Sequence, residues 1–485
     1  MIQIREVQRV LALLLMIFAQ FMLLPEAVAW YYGDGGTLAF LDSYVITFLV
    51  GALFWFPVRR AKRELRNRDG FLIVGAAWVL LPLASTLPLL LSGVTSSFTD
   101  AMYETTSGLT TTGSTVFSGL DELPHAINFW RHLLHWIGGM GIIVLAVAIL
   151  PLLGVGGRQI FKAETPGPMK DTALTPRITS TAKALWFIYA GLTALCAAAL
   201  WWAGMSPFDA VNHSFSALST GGFSTHDASI AYFHSPLIEF ILMVFMVLAS
   251  INFATHFIAL RRKSLLPYWR DPETLGTVGV MLSAVVLAAL YLWARGTYPD
   301  LLSALRFASF NVISIASTTG FATTDYNLWP IFVPLLMLVL SCFAASAGST
   351  GGGIKMVRAI LLLKQGLREM KRLIHPDALD LVKFGGRRVE EPIITAIWGF
   401  FFLYVTSMAV ATLALSAAGV DFISAMSAVI AHINNMGPGL NQVGPASNYG
   451  GLSDLAKWIL TFTMFLGRLE IYTFLVLFTR AFWRY

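Results

Sequence analysis

A short run of small polar residues hinged on one glycine, Thr110-Thr111-Thr112-Gly113-Ser114-Thr115, interrupts a chain that is otherwise strongly apolar, and it recurs. Ser219-Thr220-Gly221-Gly222-Phe223, Ser317-Thr318-Thr319-Gly320-Phe321 and Asn434-Asn435-Met436-Gly437-Pro438 are three further versions. The hinge glycines stand 109, 98 and 117 residues apart, a long, near-regular period that points to internal duplication. Alanine lies twelve residues before each glycine, at Ala101, Ala210, Ala308 and Ala425; serine lies six before the first three, at Ser107, Ser216 and Ser314. Irregular backbone in apolar surroundings is tolerated only inside protein or along a water-filled path.

The surroundings are those of a membrane protein. Of 485 residues 56% are hydrophobic and 12% charged, about half the share of roughly 25% usual in soluble domains. The net charge of +6 is gathered in a few loops, so it speaks to topology rather than to nucleic acid. Cys196 and Cys342 sit in apolar segments and read as small packing residues. Val10 to Leu24 has the length of a signal-peptide core, but no small-residue cleavage site follows, so it reads as a retained helix.

A span needs roughly 20 apolar residues. Two candidates, Val10–Trp30 and Leu41–Phe56, precede the basic run from Arg59 to Arg68. Four rounds then follow, each a long apolar helix, a short helix of about 12 residues, a glycine run and a second long helix. The short stretches are capped like helices: Ser206-Pro207-Phe208-Asp209 sets out an N-cap, a first-turn proline and an acid, Ser97 with Asp100 repeats the theme, and Asp421 caps the fourth. The expected fold is an all-α multi-pass membrane protein with four pseudo-symmetric helix–pore-helix–helix repeats around one pore, plus two extra N-terminal helices. Its units are 1–69 (two helices and a basic loop), 70–157 (repeat 1), 158–262 (repeat 2), 263–388 (repeat 3) and 389–485 (repeat 4). Basic residues follow every second long helix: Arg158 and Lys162, Arg261 to Lys263, Lys364 to Arg388, and Arg480 with Arg484. By the positive-inside rule those ends, and both termini, are cytoplasmic.

Each short helix runs from outside toward the membrane interior, and its C-terminal end carries about half a negative charge. Four such ends aimed at one point favour a cation without any acidic side chain. The runs resemble the potassium-channel filter loop, although only Asn435-Met436-Gly437-Pro438-Gly439 carries two glycines in that spacing. With the fourfold repeat and the two leading helices, the chain resembles the Trk/Ktr/HKT superfamily of potassium transporters over essentially its whole length, most closely the bacterial TrkH-type subunits. The resemblance implies potassium as the transported ion, with no organic cofactor and no enzymatic activity. It implies filter residues Thr111, Thr112, Gly113, Thr220, Gly221, Gly222, Thr318, Thr319, Gly320, Asn435, Met436 and Gly437. Glycine rather than serine at position 113 goes, in the family, with potassium over sodium. The resemblance also implies a homodimer in the bacterial inner membrane, docked to a cytosolic nucleotide-binding ring subunit of the TrkA type, with Lys364 to Arg388 as the docking surface.

The inward helix of round three is interrupted by Ala344 to Gly353, ending in three consecutive glycines that each cost about 1 kcal/mol relative to alanine in a helix. Gly348, Ser349, Thr350, Gly351, Gly352 and Gly353 read as a gate below the filter; a small-residue packing face is the alternative, Gly348 and Gly352 having GxxxG spacing. Rounds one, two and four carry no such run and are expected to be unbroken. Arg468, expected mid-helix in round four, should face the pore and bond backbone carbonyls, because a charge near the bilayer centre costs about 2.5–3.5 kcal/mol. Its neighbour Glu470, two residues on, points to a different helix face. Asp227 and Asp325, five residues after their glycines, either concentrate cations at the outer mouth or are ordinary loop acids. His132 and His135 are expected at an outer helix end near the interface. Two other functions compete. A secondary transporter would use the Gly348 break as a binding site but calls for paired broken helices. An intramembrane enzyme would use Ser346 or Ser349 as nucleophile but lacks a histidine base.

Overall fold

A computed structural model describes residues 2–34, 36–61, 63, 65–141, 178–376 and 381–484. Among these residues six helices are long and apolar enough to cross a membrane, and two bent helix pairs raise the number to as many as eight. Two spans, residues 4–32 and 37–58, lead the chain and pack on each other and on the outer helix of repeat 1, Asn67–Leu91. The outer helices of repeats 2 to 4 are Ile178–Trp202, Pro272–Ala294 and Glu391–Ala417.

The four short helices are Phe98–Leu109, Pro207–Leu218, Leu301–Ala316 and Phe422–Ile433. Each begins on a side chain that accepts a free first-turn N–H: Ser97 from Asp100, Ser206 from Asp209, Asp300 from Ser303 and Asp421 from Ser424. Such a cap is worth about 1 kcal/mol. Three of these caps are legible in the sequence; Asp300 completes the set.

The inner helices depart from expectation, because the break in repeat 3 is not alone. The inner helix of repeat 2 bends by 98° between Pro236–Ser250 and Phe253–Arg262, and that of repeat 4 bends by 110° between Asp454–Arg468 and Tyr472–Phe478. In repeat 2 Ile251 is extended, and Asn252 restarts the helix by accepting the Ala254 N–H at 2.9 Å. In repeat 4 Glu470 and Ile471 both take left-handed φ, +53° and +45°. Neither bend contains glycine or proline. Local and tertiary bonds hold them together: the Asn252 cap and the Ile471 N–H to Leu466 O bond at 2.9 Å are local, while the Phe253 N–H to Gly348 O bond and the Arg358–Glu470 pair are tertiary. Arg468 is therefore the last residue of a helix at a sharp bend, not a mid-helix residue. In repeat 1 the inner helix is described over His125–Gly139. The helix ends there, with Met140 as its C-cap and Gly141 at φ +71°, where an unbroken helix over 129–153 is expected; residues 142–153, together with Arg158, Lys162, Lys170 and Arg177, lie outside the described residues.

Repeat 3 resumes after its break as Met356–Ile374, so the expected basic loop begins as helix. A two-stranded hairpin comes next, pairing Lys383 with Arg388 and Phe384 with Arg387, the one exception to an all-helical chain among the described residues. Burial is inverted relative to a soluble protein. Leu53, Trp202, Phe402 and Leu413 are exposed, whereas Thr110, Thr112, Ser219, Thr220, Ser317, Thr318 and Asn434 are fully buried. Lipid outside and a polar centre account for both.

Candidate functional site

All four short helices end alike. The residue two before each hinge glycine (Thr111, Thr220, Thr318 or Asn435) is left-handed, with φ between +51° and +61°. The next N–H reaches back five residues, Thr112 to Ser107 at 2.9 Å, and Gly221 to Ser216, Thr319 to Ser314 and Met436 to Ala431 at 2.8 Å. This is a Schellman cap, which normally places glycine at the left-handed position. A β-branched residue there is a conformational outlier, so threonine is held for what its side chain touches. Thr318 Oγ1 accepts the Gly352 N–H at 2.8 Å, and Thr111 Oγ1 accepts from Arg468 at 3.2 Å. Asn435 Nδ2 donates to Thr112 Oγ1 at 2.9 Å and to Met464 O at 3.2 Å. The recurrent serine six before the glycine ties down the residue just beyond it: Ser107 Oγ lies 3.2 Å from Ser114 Oγ, and Ser314 Oγ donates to Phe321 O at 2.6 Å.

The hinge glycines have φ between +79° and +96° and turn their bare α-carbons to the neighbouring repeat. A methyl group on Gly113 would run into Gly221 O, on Gly222 into Thr319 O, on Gly320 into Met436 O, and on Gly437 into Thr112 O. The contacts close a ring in chain order, repeat 1 to 2 to 3 to 4 and back to 1. Its oxygen members are the carbonyls immediately before the four glycines. All twelve residues expected at a filter therefore meet at one place. On one side the glycines line a cavity of about 220 Å³ shared with the outer loops.

On the other side lies the broken segment of repeat 3, between Phe332–Ser341 and Met356–Ile374. Its crown touches the ring. Besides the Gly352–Thr318 bond, a methyl on Gly352 would run into Asn434 O, and one on Gly351 would come within 3.1 Å of Ser317 O. Thr350 Oγ1 donates to Leu218 O at 2.9 Å. Three backbone bonds dock the segment on the bend of repeat 2: Ser346 N–H to Ser250 O at 2.9 Å, Thr350 N–H to Ala249 O at 3.3 Å, and Phe253 N–H to Gly348 O at 3.0 Å. Ser349 Oγ donates to Ser346 O at 2.6 Å within the segment, and a methyl on Gly353 would run into the Ser341 and Cys342 carbonyls. Arg468 joins three repeats here. Its guanidinium donates to Thr111 Oγ1, to Thr350 O at 3.3 Å, to Gly139 O at 3.2 Å and to Gly138 O. Backbone carbonyls, one of them in the segment, are the partners its cost of burial calls for.

Comparison with known proteins places this arrangement. A family model described as TrkH, cation transport protein, matches residues 37–485. The chain is 50% identical over 481 residues to the Trk system potassium uptake protein TrkH of Salmonella typhimurium, and 49% identical to that of Escherichia coli K12, covering 99% of both chains in each pair. The crystal structure of the potassium transporter TrkH from Vibrio parahaemolyticus superposes with a TM-score of 0.90 at 46% identity, covering all of both chains. The chain belongs to the TrkH family. It is a membrane protein with that family's four-repeat helical fold.

Within this fold, several side chains fall elsewhere than expected. His132 and His135 are fully buried in the protein, not at an interface. His132 bonds Asn128 O at 2.6 Å and Phe223 O at 3.1 Å; His135 bonds Ser216 Oγ at 3.1 Å and stacks on Phe223 with ring centres 4.1 Å apart. Both brace the second glycine run from behind. Asp227 accepts the Gly119 N–H at 2.9 Å and the Leu120 N–H at 3.3 Å, and Asp325 caps a turn at Asn327. Both build loops, as the second of their two expected readings has it. Arg368 is buried against Glu391 at 2.6 Å, so the exposed basic residues of this stretch are Lys364, Lys371, Arg372, Lys383, Arg387 and Arg388. Among the described residues no cluster of histidine, cysteine and acid could hold a metal.

No local sequence signal marks the ion pair behind the ring. Glu104 and Arg131, both 1% exposed, meet at 2.8 Å. The Glu104 carboxylate accepts from Thr115 Oγ1 at 2.9 Å and from the Val116 N–H at 3.0 Å, fixing the first run; Arg131 lies 4.2 Å over the Phe223 ring, fixing the second. Breaking a buried pair of this kind costs about 3–5 kcal/mol. Tyr449 donates to Gly437 O at 2.9 Å in the fourth quarter, so the ring is not fourfold-identical. Among the loops beyond the ring His226 bridges Asp121 and Asp209, the latter at 3.5 Å. Burial pushes the imidazole pKa down, but its bonds to the two carboxylates outweigh that and leave it raised.

Proposed function

We propose that this chain takes up potassium across the bacterial cytoplasmic membrane through a channel-like pore, with the four glycine runs as its filter and residues 348–353 with Arg468 as its gate. The observation that carries the proposal is the closed ring of carbonyl–glycine contacts. Four helix C-termini of about half a negative charge each converge there, and four carbonyls stand where an ion's hydration shell can be exchanged for backbone oxygen. The relatives' printed names, potassium uptake proteins of the Trk system, support the same ion. Glycine at 113 supports discrimination against sodium. The crown of the repeat 3 segment, pressed against the ring, blocks the path on the other side until it moves.

The rest of the reading follows the family. Both termini are cytoplasmic, the five units are those set out from the sequence, and each protomer of a homodimer has its own pore. A nucleotide-binding ring subunit of the TrkA type docks at the cytoplasmic face on the basic helix end and hairpin. The chain is a transporter, not an enzyme, and needs no organic cofactor. The bends in inner helices 2 and 4 favour a second reading as a secondary transporter, which calls for more than one broken helix. All these bends, however, surround one axis beneath one ring. Rubidium flux into liposomes carrying the purified chain, with sodium and caesium as competitors, separates the readings. Saturable rubidium flux that sodium competes with poorly is expected; no cation flux would sink the proposal.

A further inference from the structure

The segment beneath the ring is pinned at both feet by one carboxylate. Glu273 stands in the first turn of the outer helix of repeat 3 and is 5% exposed. Its Oε1 accepts the Ala347 N–H at 2.5 Å, within the stretch docked on repeat 2, and the Val357 N–H at 3.2 Å, where the helix resumes. The second bond also caps the resumed helix, giving the Val357 N–H an acceptor beside the Met356 N–H, which donates to Ala345 O at 2.8 Å, and it puts a carboxylate at a helix start. One turn further on, Thr277 Oγ1 lies 3.0 Å from Ser346 Oγ. Between these turns a methyl on Gly276 would sit 3.2 Å from Met356, so the resumed helix packs close on this face.

We infer that Glu273 is the positioning residue that holds the segment closed: it joins residues 347 and 357 into a hoop whose crown, Thr350 to Gly352, rests against the ring. The inference rests on reading that segment as the gate. The hoop is thus held at its base by Glu273 and at its crown by Leu218 O, Ala249 O, Thr318 Oγ1 and Arg468. Displacing the whole segment then requires both N–H groups to leave a buried carboxylate. Glu273 touches no ion and lies on a different helix from the segment, so its effect is on the closed state alone.

The test uses full-length protein in liposomes without cytosolic partner, measuring rubidium influx for the parent, Glu273→Ala, Glu273→Gln and Arg468→Ala. Loss of two hydrogen bonds to one buried acceptor gives an expected rise in basal influx of at least about tenfold for Glu273→Ala. Glu273→Gln, which keeps a carbonyl acceptor, stays nearer the parent, and rubidium-over-sodium preference is unchanged in both. In a Cys196→Ala, Cys342→Ala background, Ser349→Cys reacts faster with a thiol reagent when Glu273→Ala is added, a readout that general destabilisation of the outer helix does not produce. Should Glu273→Ala not purify as a monodisperse protein, Glu273→Asp, too short to span both N–H groups, takes its place with the same expected direction. Influx and labelling within twofold of the parent, or Gln as leaky as Ala, overturns the role of Glu273. If Arg468→Ala leaks while the Glu273 variants do not, the gate reading survives and only this assignment falls; if none leaks, both fall.

Discussion

The four hinge glycines do not have equal room, and this sets a graded prediction. Alanine at any of them must adopt φ between +79° and +96°, a conformation costing an L-residue about 1–2 kcal/mol. That cost is common to all four. At Gly113, Gly222 and Gly320 the new methyl would also overlap a carbonyl oxygen of the next repeat, namely Gly221, Thr319 or Met436. Overpacking of this order adds about 1–3 kcal/mol unless the oxygen withdraws. Withdrawal is itself damaging, because it takes that oxygen out of the ring. At Gly437 the nearest atom is Thr112 O at 2.8 Å, then Gly113 C at 3.1 Å and Gly113 O at 3.2 Å, so a shift of a few tenths of an ångström suffices. At about 1.4 kcal/mol per tenfold, Gly113→Ala, Gly222→Ala and Gly320→Ala should each lower rubidium influx by about tenfold or more, and Gly437→Ala by less than any of them. Influx into liposomes, normalised to reconstituted protein, reads the series directly. Gly437→Ala as damaging as the other three would refute the reasoning, since only the ring contacts distinguish the sites.

Two further outcomes are expected. Arg468→Ala removes the guanidinium that joins Thr111, Thr350 and the Gly138–Gly139 carbonyls, and should raise rubidium influx several-fold; unchanged or lower potassium uptake in a transport-deficient strain would count against it. Among the loops beyond the ring the raised His226 pKa means its contribution to folding is full below the unfolded value and is lost as pH rises through the folded one, whereas the lowered Asp121 pKa makes its contribution fade only in acid. The parent should therefore melt higher at pH 6 than at pH 8.5, and His226→Gln should narrow that difference; an identical pH dependence in the variant would exclude the clamp.

The features legible in the sequence are those that glycine, proline and capping residues spell out locally. The four hinges, three of the four short-helix starts and the break before Met356 all carry such residues, and all stand where those residues place them. The bends at Ser250–Asn252 and Leu469–Ile471 carry no glycine or proline, and the one cap, Asn252, is a single polar residue in an apolar stretch. They are held in large part by partners distant in sequence, such as Gly348 O on the Phe253 N–H. In repeat 4, Glu470 pairs with Arg358 at 2.5 Å, a partnership that depends on the left-handed turn between the helices and has no mark in the local sequence. The roles of His132, His135, Glu104 and Arg131 are hidden for a related reason. A polar residue in an apolar stretch looks the same whether it faces lipid headgroups or the back of another loop, and only the packing of repeats 1 and 2 decides.

The ring in which each glycine leans on the following repeat is drawn from one polypeptide, and its four quarters occupy four separate stretches of gene. In an assembly of four identical subunits, one codon change alters every quarter at once, and ion preference moves in a single large step. Here one change alters one quarter, and its two neighbours remain as templates against which the altered strand is pressed. On the filter proposed above, ion preference can thus be adjusted by quarters, with Gly437, the position with most room, the natural first place for such drift to be tolerated.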